Sequence, residues 1–134
     1  KYNLKGFLYW CVNWWTIVDP YASAANTKWE QNGNGLLFYP GENGPVDSLR
    51  AQIYRDGMED YEYLYLLKQK VDALSGKTLT PETKDLLEKA KGLLTIDNGI
   101  VRSMRNFTKN AQVLTQRRQK IAETIEALEN IKNE

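Results

Sequence analysis

The 134-residue chain contains no histidine and only one cysteine, Cys11. Without histidine, its own residues cannot form a Ser-His triad, a Cys-His pair or an imidazole metal site. A single cysteine excludes an internal disulfide and any zinc or iron–sulfur site built from a cysteine cluster. We therefore expect no metal ion and no other cofactor.

Long apolar runs and an excess of one charge are also missing. No apolar run reaches the ~18 residues of a transmembrane helix, so we expect no membrane segment. The 18 basic and 17 acidic residues leave a net charge of +1. Residues 6–27 hold no Lys or Arg, which argues against a nucleic-acid stacking surface. The chain has neither a starting Met nor a signal-peptide pattern, so we interpret it as a piece of a longer protein.

Aromatic and charged residues are unevenly distributed along the chain. Residues 1–46 hold 10 of the 15 aromatic residues, all four tryptophans and only six charged residues. Residues 47–134 hold 29 charged residues and every arginine. This pattern indicates an aromatic, glycine-rich first part that is followed by a charged, helix-forming part.

Two strands are predicted in the aromatic part. Residues 4–12 form an apolar run of strand length, typical of a parallel strand buried on both faces. Residues 35–39 form a second short strand, with turn signals before it at 32–35 and after it at Pro40-Gly41. The connection of about twenty residues between the strands is long enough to predict a functional loop.

Three helices are predicted in the charged part. The first runs from Asp56, its N-cap, to Leu74, while residues 48–55 fit either a strand or a helical turn. The second runs over about 80–91 with Pro81 at its first position, and the last over about 110–131. Residues 97–107 are predicted to be weakly helical.

We interpret the charged clusters in these helices as structural and not as catalytic. Paired carboxylates such as those of Glu59, Asp60 and Glu62 can act as acid and base in glycoside hydrolysis. Their place in the first turn of the predicted helix instead favours an interaction with the helix dipole. The runs 116–120 and 126–129 are predicted to be solvated helix faces.

The strongest functional signal is the tryptophan-rich end of the first predicted strand. Ligands of α/β folds bind at the carboxyl ends of strands, and indole planes suit the apolar faces of sugar rings. An asparagine can donate to and accept from sugar hydroxyls. The alternative is that these tryptophans only fill a core. The candidate substrate-binding residues are Trp10, Asn13, Trp14, Trp15 and Tyr39.

Within this group we expect different roles. Trp10 ends the strand where a pocket would open, so it is the first choice for a sugar contact. Asn13 is the candidate partner of a hydroxyl or acetamido group, and Trp14 or Trp15 would wall the pocket. Tyr39 ends the second strand and is expected at the same rim.

Four motifs in this order resemble the domain of unknown function 4091. They are GFLYWCVNWW at 6–15, NGNGLLFYPG at 32–41, SLR at 48–50 and RDGMEDYEYL at 55–64. That region closes the catalytic barrel of glycoside hydrolase family 123, the β-N-acetylgalactosaminidases, and of bacterial relatives. The resemblance covers about residues 6–67. Cys11 stands where a small residue is usual, and Asn34 where Asp is usual.

The resemblance implies the C-terminal fragment of a (β/α)8 barrel, an α/β fold. Residues 1–74 would supply the last strands and a helix, and residues 75–134 a helical segment. It also implies substrate-assisted hydrolysis by an adjacent Asp-Glu pair upstream of Lys1, so that this chain alone lacks the catalytic acid. The expected partner is a glycan containing N-acetylhexosamine, and the family suggests a periplasmic or secreted protein.

Two other functions remain open at this point. One is a non-catalytic carbohydrate-binding or scaffold module that uses the same aromatic residues. The other is a helical protein-interaction module in residues 80–134. Because strands cut from a barrel expose their edges, we expect an isolated fragment to rearrange, to cover them with its helices or to self-associate.

Overall fold

The computed structural model describes residues 6–15, 19, 21–22 and 33–131. This part of the chain is mixed α/β, with three helices and two small antiparallel sheets. The elements are β1 (Phe38–Gly41), β2 (Gly44–Asp47), α1 (Leu49–Leu74), α2 (Pro81–Leu94), β3 (Val101–Ser103), β4 (Asn106–Phe107) and α3 (Ala111–Asn130). Compact packing divides the chain into an N-terminal and a C-terminal unit, with the boundary between Met58 and Glu59 inside α1. None of the helices in the described ranges is long and apolar enough to cross a membrane.

Strands β1 and β2 form a hairpin in the N-terminal unit. Tyr39 pairs with Val46, and Pro40 pairs with Pro45. The strand predicted at 35–39 is therefore correct only at its end, and the chain reverses at 42–43 rather than at Pro40-Gly41. A two-stranded ribbon has two free edges, so it accepts prolines that cannot donate to a neighbouring strand.

The strand predicted at 4–12 is wrong for residues 6–12, and Leu4 and Lys5 lie outside the described residues. In the part of the chain that the structure describes, the only β pairing of this segment is a single antiparallel bridge between Asn13 and Leu36. A strand needs a hydrogen-bonded neighbour along its length. Among the described residues, the backbone of residues 6–12 bonds to a neighbouring segment only at Val12, whose carbonyl accepts the N–H groups of Leu37 at 2.7 Å and Phe38 at 3.0 Å. The rest of the apolar run therefore stays irregular.

Helix α1 begins seven residues before the predicted N-cap, so the prediction for Asp56 is wrong. The hydroxyl of Ser48 accepts the N–H of Ala51 at 3.2 Å and caps the helix directly after the hairpin. The undecided residues 48–55 are therefore the start of α1. Asp56 and Gly57 lie within the helix, where neither residue forbids helical backbone.

The helices of the C-terminal unit surround an apolar core, and the predictions for α2 and α3 are confirmed. Thr80 accepts the N–H of Thr83 at 3.3 Å before Pro81, and Asn110 accepts the N–H of Gln112 at 3.0 Å. The buried core consists of Leu67, Val71, Leu74, Leu87, Ala90, Ile121 and Leu128.

Residues 97–107 form a turn and the β3–β4 hairpin, so the prediction of weak helix is wrong. The carboxylate of Asp97 accepts the N–H groups of Gly99 at 2.7 Å and Ile100 at 3.2 Å. Thr108 then donates to the carbonyl of Ile100 at 2.8 Å. A short polar side chain that bonds to the backbone ahead of it competes with helix formation.

The arginines of α3 do not form the solvated face predicted for 116–120. Arg117 donates to the carbonyls of Leu93 at 2.6 Å and Thr95 at 2.7 Å, which satisfies acceptors at the end of α2. Arg118 donates to Asp60 at 2.5 Å. In the second predicted solvated run, Glu129 pairs with Lys70 at 2.5 Å.

Candidate functional site

A glycine turn at residues 33–35 organises the aromatic side chains of the N-terminal unit. Gly33 and Gly35 have φ angles of 82° and 83°, in the left-handed region that favours glycine. A Cβ on Gly33 would lie 2.4 Å from the guanidinium carbon of Arg50, and one on Gly35 would lie 2.8 Å from the Trp10 ring. Both glycines thus allow a large side chain to pack directly on the turn.

Asn34, between these glycines, holds two aromatic residues. Its side-chain oxygen accepts the hydroxyl of Tyr9 at 3.0 Å and the indole N–H of Trp10 at 3.2 Å. The Tyr9 hydroxyl also accepts the backbone N–H of Gly35 at 2.9 Å. Because only the oxygen of Asn34 is used in these two bonds, an aspartate could accept both of them as well.

Trp10 and Trp14 form an edge-to-face pair. Their ring centroids are 4.8 Å apart with an interplanar angle of 75°, a favoured geometry for aromatic rings. The backbone N–H of Trp14 donates to Gly35 at 2.8 Å, which fixes this pair to the turn. Trp10 remains 55% exposed, so it is an oriented surface residue and not a core residue.

Asn13 and Trp15 lie next to this pair in different environments. Asn13 pairs through its backbone with Leu36, and its amide oxygen faces the Cys11 thiol at 3.8 Å, a weak contact. The indole N–H of Trp15 is buried and has no hydrogen-bond partner among the described residues. The polar edge of Trp15 is therefore turned away from solvent.

Tyr39 belongs to a second aromatic pair. Its ring centroid lies 5.3 Å from that of Tyr21 at an interplanar angle of 37°. Arg50 donates to the Tyr39 hydroxyl at 2.9 Å and to the carbonyl of the fully buried Leu36 at 3.0 Å. Of the predicted site residues, Trp10 and Trp14 therefore form one pair, and Tyr39 forms a second pair with Tyr21, which is not among the candidates. Both pairs are held by contacts to residues 33–40, whereas Asn13 and Trp15 belong to neither pair.

Four residues that form or support these pairs are not among the candidate substrate-binding residues. They are Tyr9, Tyr21, Asn34 and Arg50. The repeated Asn-Gly pattern at 32–35 is a signal for the turn and hence for Asn34. Arg50 stands in the recognised Ser-Leu-Arg motif, but no sequence pattern distinguishes Tyr21 from the other tyrosines.

Two acidic residues of α1, Glu59 and Asp60, form ion pairs with Arg118 in the C-terminal unit. Arg118 lies 2.5 Å from Asp60 and 3.7 Å from Glu59, so both carboxylates have a structural partner. The structural interpretation of this cluster agrees with these contacts, although its expected position in a first helical turn was wrong. Within the described ranges, no group of three or more His, Cys, Asp or Glu residues could hold a metal ion.

A cavity of about 210 Å³ lies entirely within the C-terminal unit. Its lining is mostly apolar and includes Leu64, Ile100 and Ile121, with the Asp60–Arg118 pair as a polar element. Since these two charges bind each other, the cavity presents mainly hydrocarbon surface.

Comparison with known proteins gives one family match. The family model described as glycoside hydrolase 123, catalytic domain, matches residues 1–67, half of the chain. No curated protein and no solved structure matches significantly. The matched range includes the glycine turn, both aromatic pairs and Arg50. The chain therefore belongs to the glycoside hydrolase 123 family.

Proposed function

We propose that the chain is the C-terminal part of a (β/α)8-barrel glycosidase that acts on glycans containing N-acetylhexosamine, and that Trp10 contacts the sugar. Membership of the glycoside hydrolase 123 family supports the reaction class. The region would correspond to the domain of unknown function 4091, whose four motifs the chain resembles.

The geometry of Trp10 is the observation that carries the sugar contact. The indole N–H is already bonded to Asn34, and the ring forms an edge-to-face pair with Trp14, so the orientation of the ring is set before a ligand arrives. An exposed aromatic ring that is held in this way binds with a small loss of conformational entropy. Trp14 would then line one side of the site. Asn13 would supply an amide to a hydroxyl or acetamido group.

The exposed apolar side chains of residues 6–12 support the proposed barrel. Leu8 is 93% exposed and Phe7 is 62% exposed in a segment whose composition is typical of a buried strand. In the proposed barrel, strands of the remaining catalytic domain would pair with residues 6–12 and cover these side chains. In the isolated chain, the same surface would favour self-association.

Catalysis would depend on the Asp-Glu pair that the family resemblance implies elsewhere in the barrel. The acidic residues of α1 do not substitute for it in this proposal, because Glu59 and Asp60 are engaged by Arg118. This chain would supply the aromatic surface on which the sugar is oriented. A non-catalytic carbohydrate-binding module would use the same surface.

The test compares Trp10→Ala with Leu8→Ala in the isolated 134-residue chain, where Leu8 is a second exposed apolar residue of the same segment. Burial of about 50–100 Å² between a sugar and an indole is worth about 1–2.5 kcal/mol. We therefore expect Trp10→Ala to weaken N-acetylgalactosamine binding by about 5- to 70-fold, and Leu8→Ala to leave it unchanged. Thermal melts of both variants monitor folding.

The alternative in which Trp10 only stabilises the fold gives a different result. A core tryptophan would cost about 3–5 kcal/mol of stability on truncation to alanine. A large loss of stability with unaltered sugar affinity in the folded fraction would contradict the proposed contact.

A further inference from the structure

We infer that Tyr21 and Tyr39 form a second sugar-contacting surface, so that the chain binds an oligosaccharide at two places. This inference rests on the proposed function and adds a ligand-contacting residue, Tyr21, to it. It also narrows the substrate class to glycans of several sugar residues.

Tyr21 is exposed and yet held at both ends. Its side chain is 60% exposed, and its hydroxyl donates to the carbonyl of Pro40 at 2.7 Å. Its backbone N–H donates to the carboxylate of Asp19 at 2.9 Å. A tyrosine ring has only two side-chain torsions, and these bonds restrict it further, so sugar binding would cost little entropy.

Tyr39 is held from the other side by Arg50. The guanidinium group bonds the Tyr39 hydroxyl at 2.9 Å and the Leu36 carbonyl at 3.0 Å, and it packs against Gly33. The planar guanidinium group bonds the Leu36 carbonyl and the Tyr39 hydroxyl at the same time. Arg50 is therefore a positioning residue for the Tyr39 ring.

The two aromatic pairs are attached to different residues of one backbone segment. Trp10 packs on Gly35, whereas Tyr21 bonds to Pro40. Five residues of chain span at most about 17 Å. One pyranose ring is about as large as one aromatic ring, so a single sugar residue contacts one of the two pairs. A linear oligosaccharide can contact both pairs. Because the second contact is then intramolecular, it raises the affinity without the entropy cost of a second association.

The experiment titrates the full chain with two probes. They are N-acetylgalactosamine and a β-linked tetrasaccharide that carries N-acetylgalactosamine at its non-reducing end. We expect the tetrasaccharide to bind more tightly to the unmodified chain. Tyr21→Ala is expected to weaken tetrasaccharide binding by about 5- to 20-fold and monosaccharide binding by less than about twofold. Tyr65→Ala, at another exposed tyrosine, is the matched control and should change neither affinity.

Further variants separate the ring from its supports. Tyr21→Phe keeps the aromatic face and is expected to lose less affinity than Tyr21→Ala; an equal loss would contradict a stacking role. Arg50→Met should weaken tetrasaccharide binding when Tyr39 is present and have no further effect in a Tyr39→Ala background. Additive losses would contradict the positioning role, because a general loss of folding would affect both backgrounds.

The results distinguish this inference from the proposed function. If Trp10→Ala leaves the affinities for both probes unchanged, the proposed function fails. If Trp10→Ala weakens both but Tyr21→Ala changes neither, the second surface fails alone. Equal affinities of the unmodified chain for the two probes would also overturn the second surface.

Discussion

Trp10 donates its indole N–H to the side-chain oxygen of Asn34 at 3.2 Å. The same oxygen accepts the hydroxyl of Tyr9, so one side chain in the glycine turn sets the orientation of two aromatic rings. The orientation of the exposed Trp10 ring is thus controlled from the turn at 33–35. This relationship links the Asn-Gly pattern in the sequence to the proposed sugar contact.

The role of Asn34 can be tested by changing its acceptor oxygen. We expect Asn34→Ala to cost about 1–2 kcal/mol, because it removes the acceptor of two partly exposed hydrogen bonds. Asn34→Asp keeps that acceptor and should stay within about 0.5 kcal/mol of the unmodified chain. Denaturant unfolding measures both values. Equal losses for the two variants would show that the acceptor oxygen is not what Asn34 contributes.

Local signals in the sequence predict part of this fold well. Thr80 and Pro81 start α2, and Asn110 starts α3, because capping depends on side chains only a few residues away. The turn at 33–35 follows in the same way from the left-handed conformation that glycine allows.

The errors arise where distant residues decide the structure. Residues 6–12 have a strand composition, but a strand also depends on a neighbouring segment that composition does not reveal. Asp56 has the pattern of a cap, yet Ser48 after the hairpin starts the helix earlier. The partners of Arg117 and Arg118 lie more than twenty residues away, so a local pattern could not identify them.

The position of the α1 N-cap gives a direct comparison of Ser48 with Asp56. Ser48→Ala is expected to cost about 0.5–2 kcal/mol, since it removes the acceptor for the N–H of Ala51. Asp56→Ala should stay within about 0.5 kcal/mol, because Asp56 and its partner Arg55 are both more than half exposed. Denaturant melts of the two variants measure their free energies of unfolding and so show which residue caps the helix. A larger loss for Asp56→Ala would place the cap at the position that the sequence pattern predicts.

The arginine run of α3 provides a second comparison. Arg117 is 18% exposed at its side chain and bonds two carbonyls at the end of α2. We expect Arg117→Met to cost about 1–3 kcal/mol, because those carbonyls lose a charged donor. Lys120→Met, at an exposed position three residues later, should stay within about 0.5 kcal/mol. Similar values in thermal unfolding would mean that the whole run behaves as a solvated face.

We expect no hydrolysis of a nitrophenyl N-acetyl-β-galactosaminide by the 134-residue chain alone. The proposed mechanism requires an Asp-Glu pair outside this chain, and Glu59 and Asp60 are paired with Arg118. Release of nitrophenol, measured by absorbance, tests this expectation. Turnover that is lost in Glu59→Gln or Asp60→Asn would contradict the structural role assigned to these carboxylates.

The most direct test of the central claim observes the indole N–H signals of the tryptophans by NMR during a titration with N-acetylgalactosamine. Trp10→Phe and Trp15→Phe assign the two signals that matter. We predict that the Trp10 signal shifts in a saturable way while the Trp15 signal, from a buried N–H, stays constant. A Trp10 signal that does not move up to the solubility limit of the sugar would contradict the proposal that Trp10 contacts the substrate.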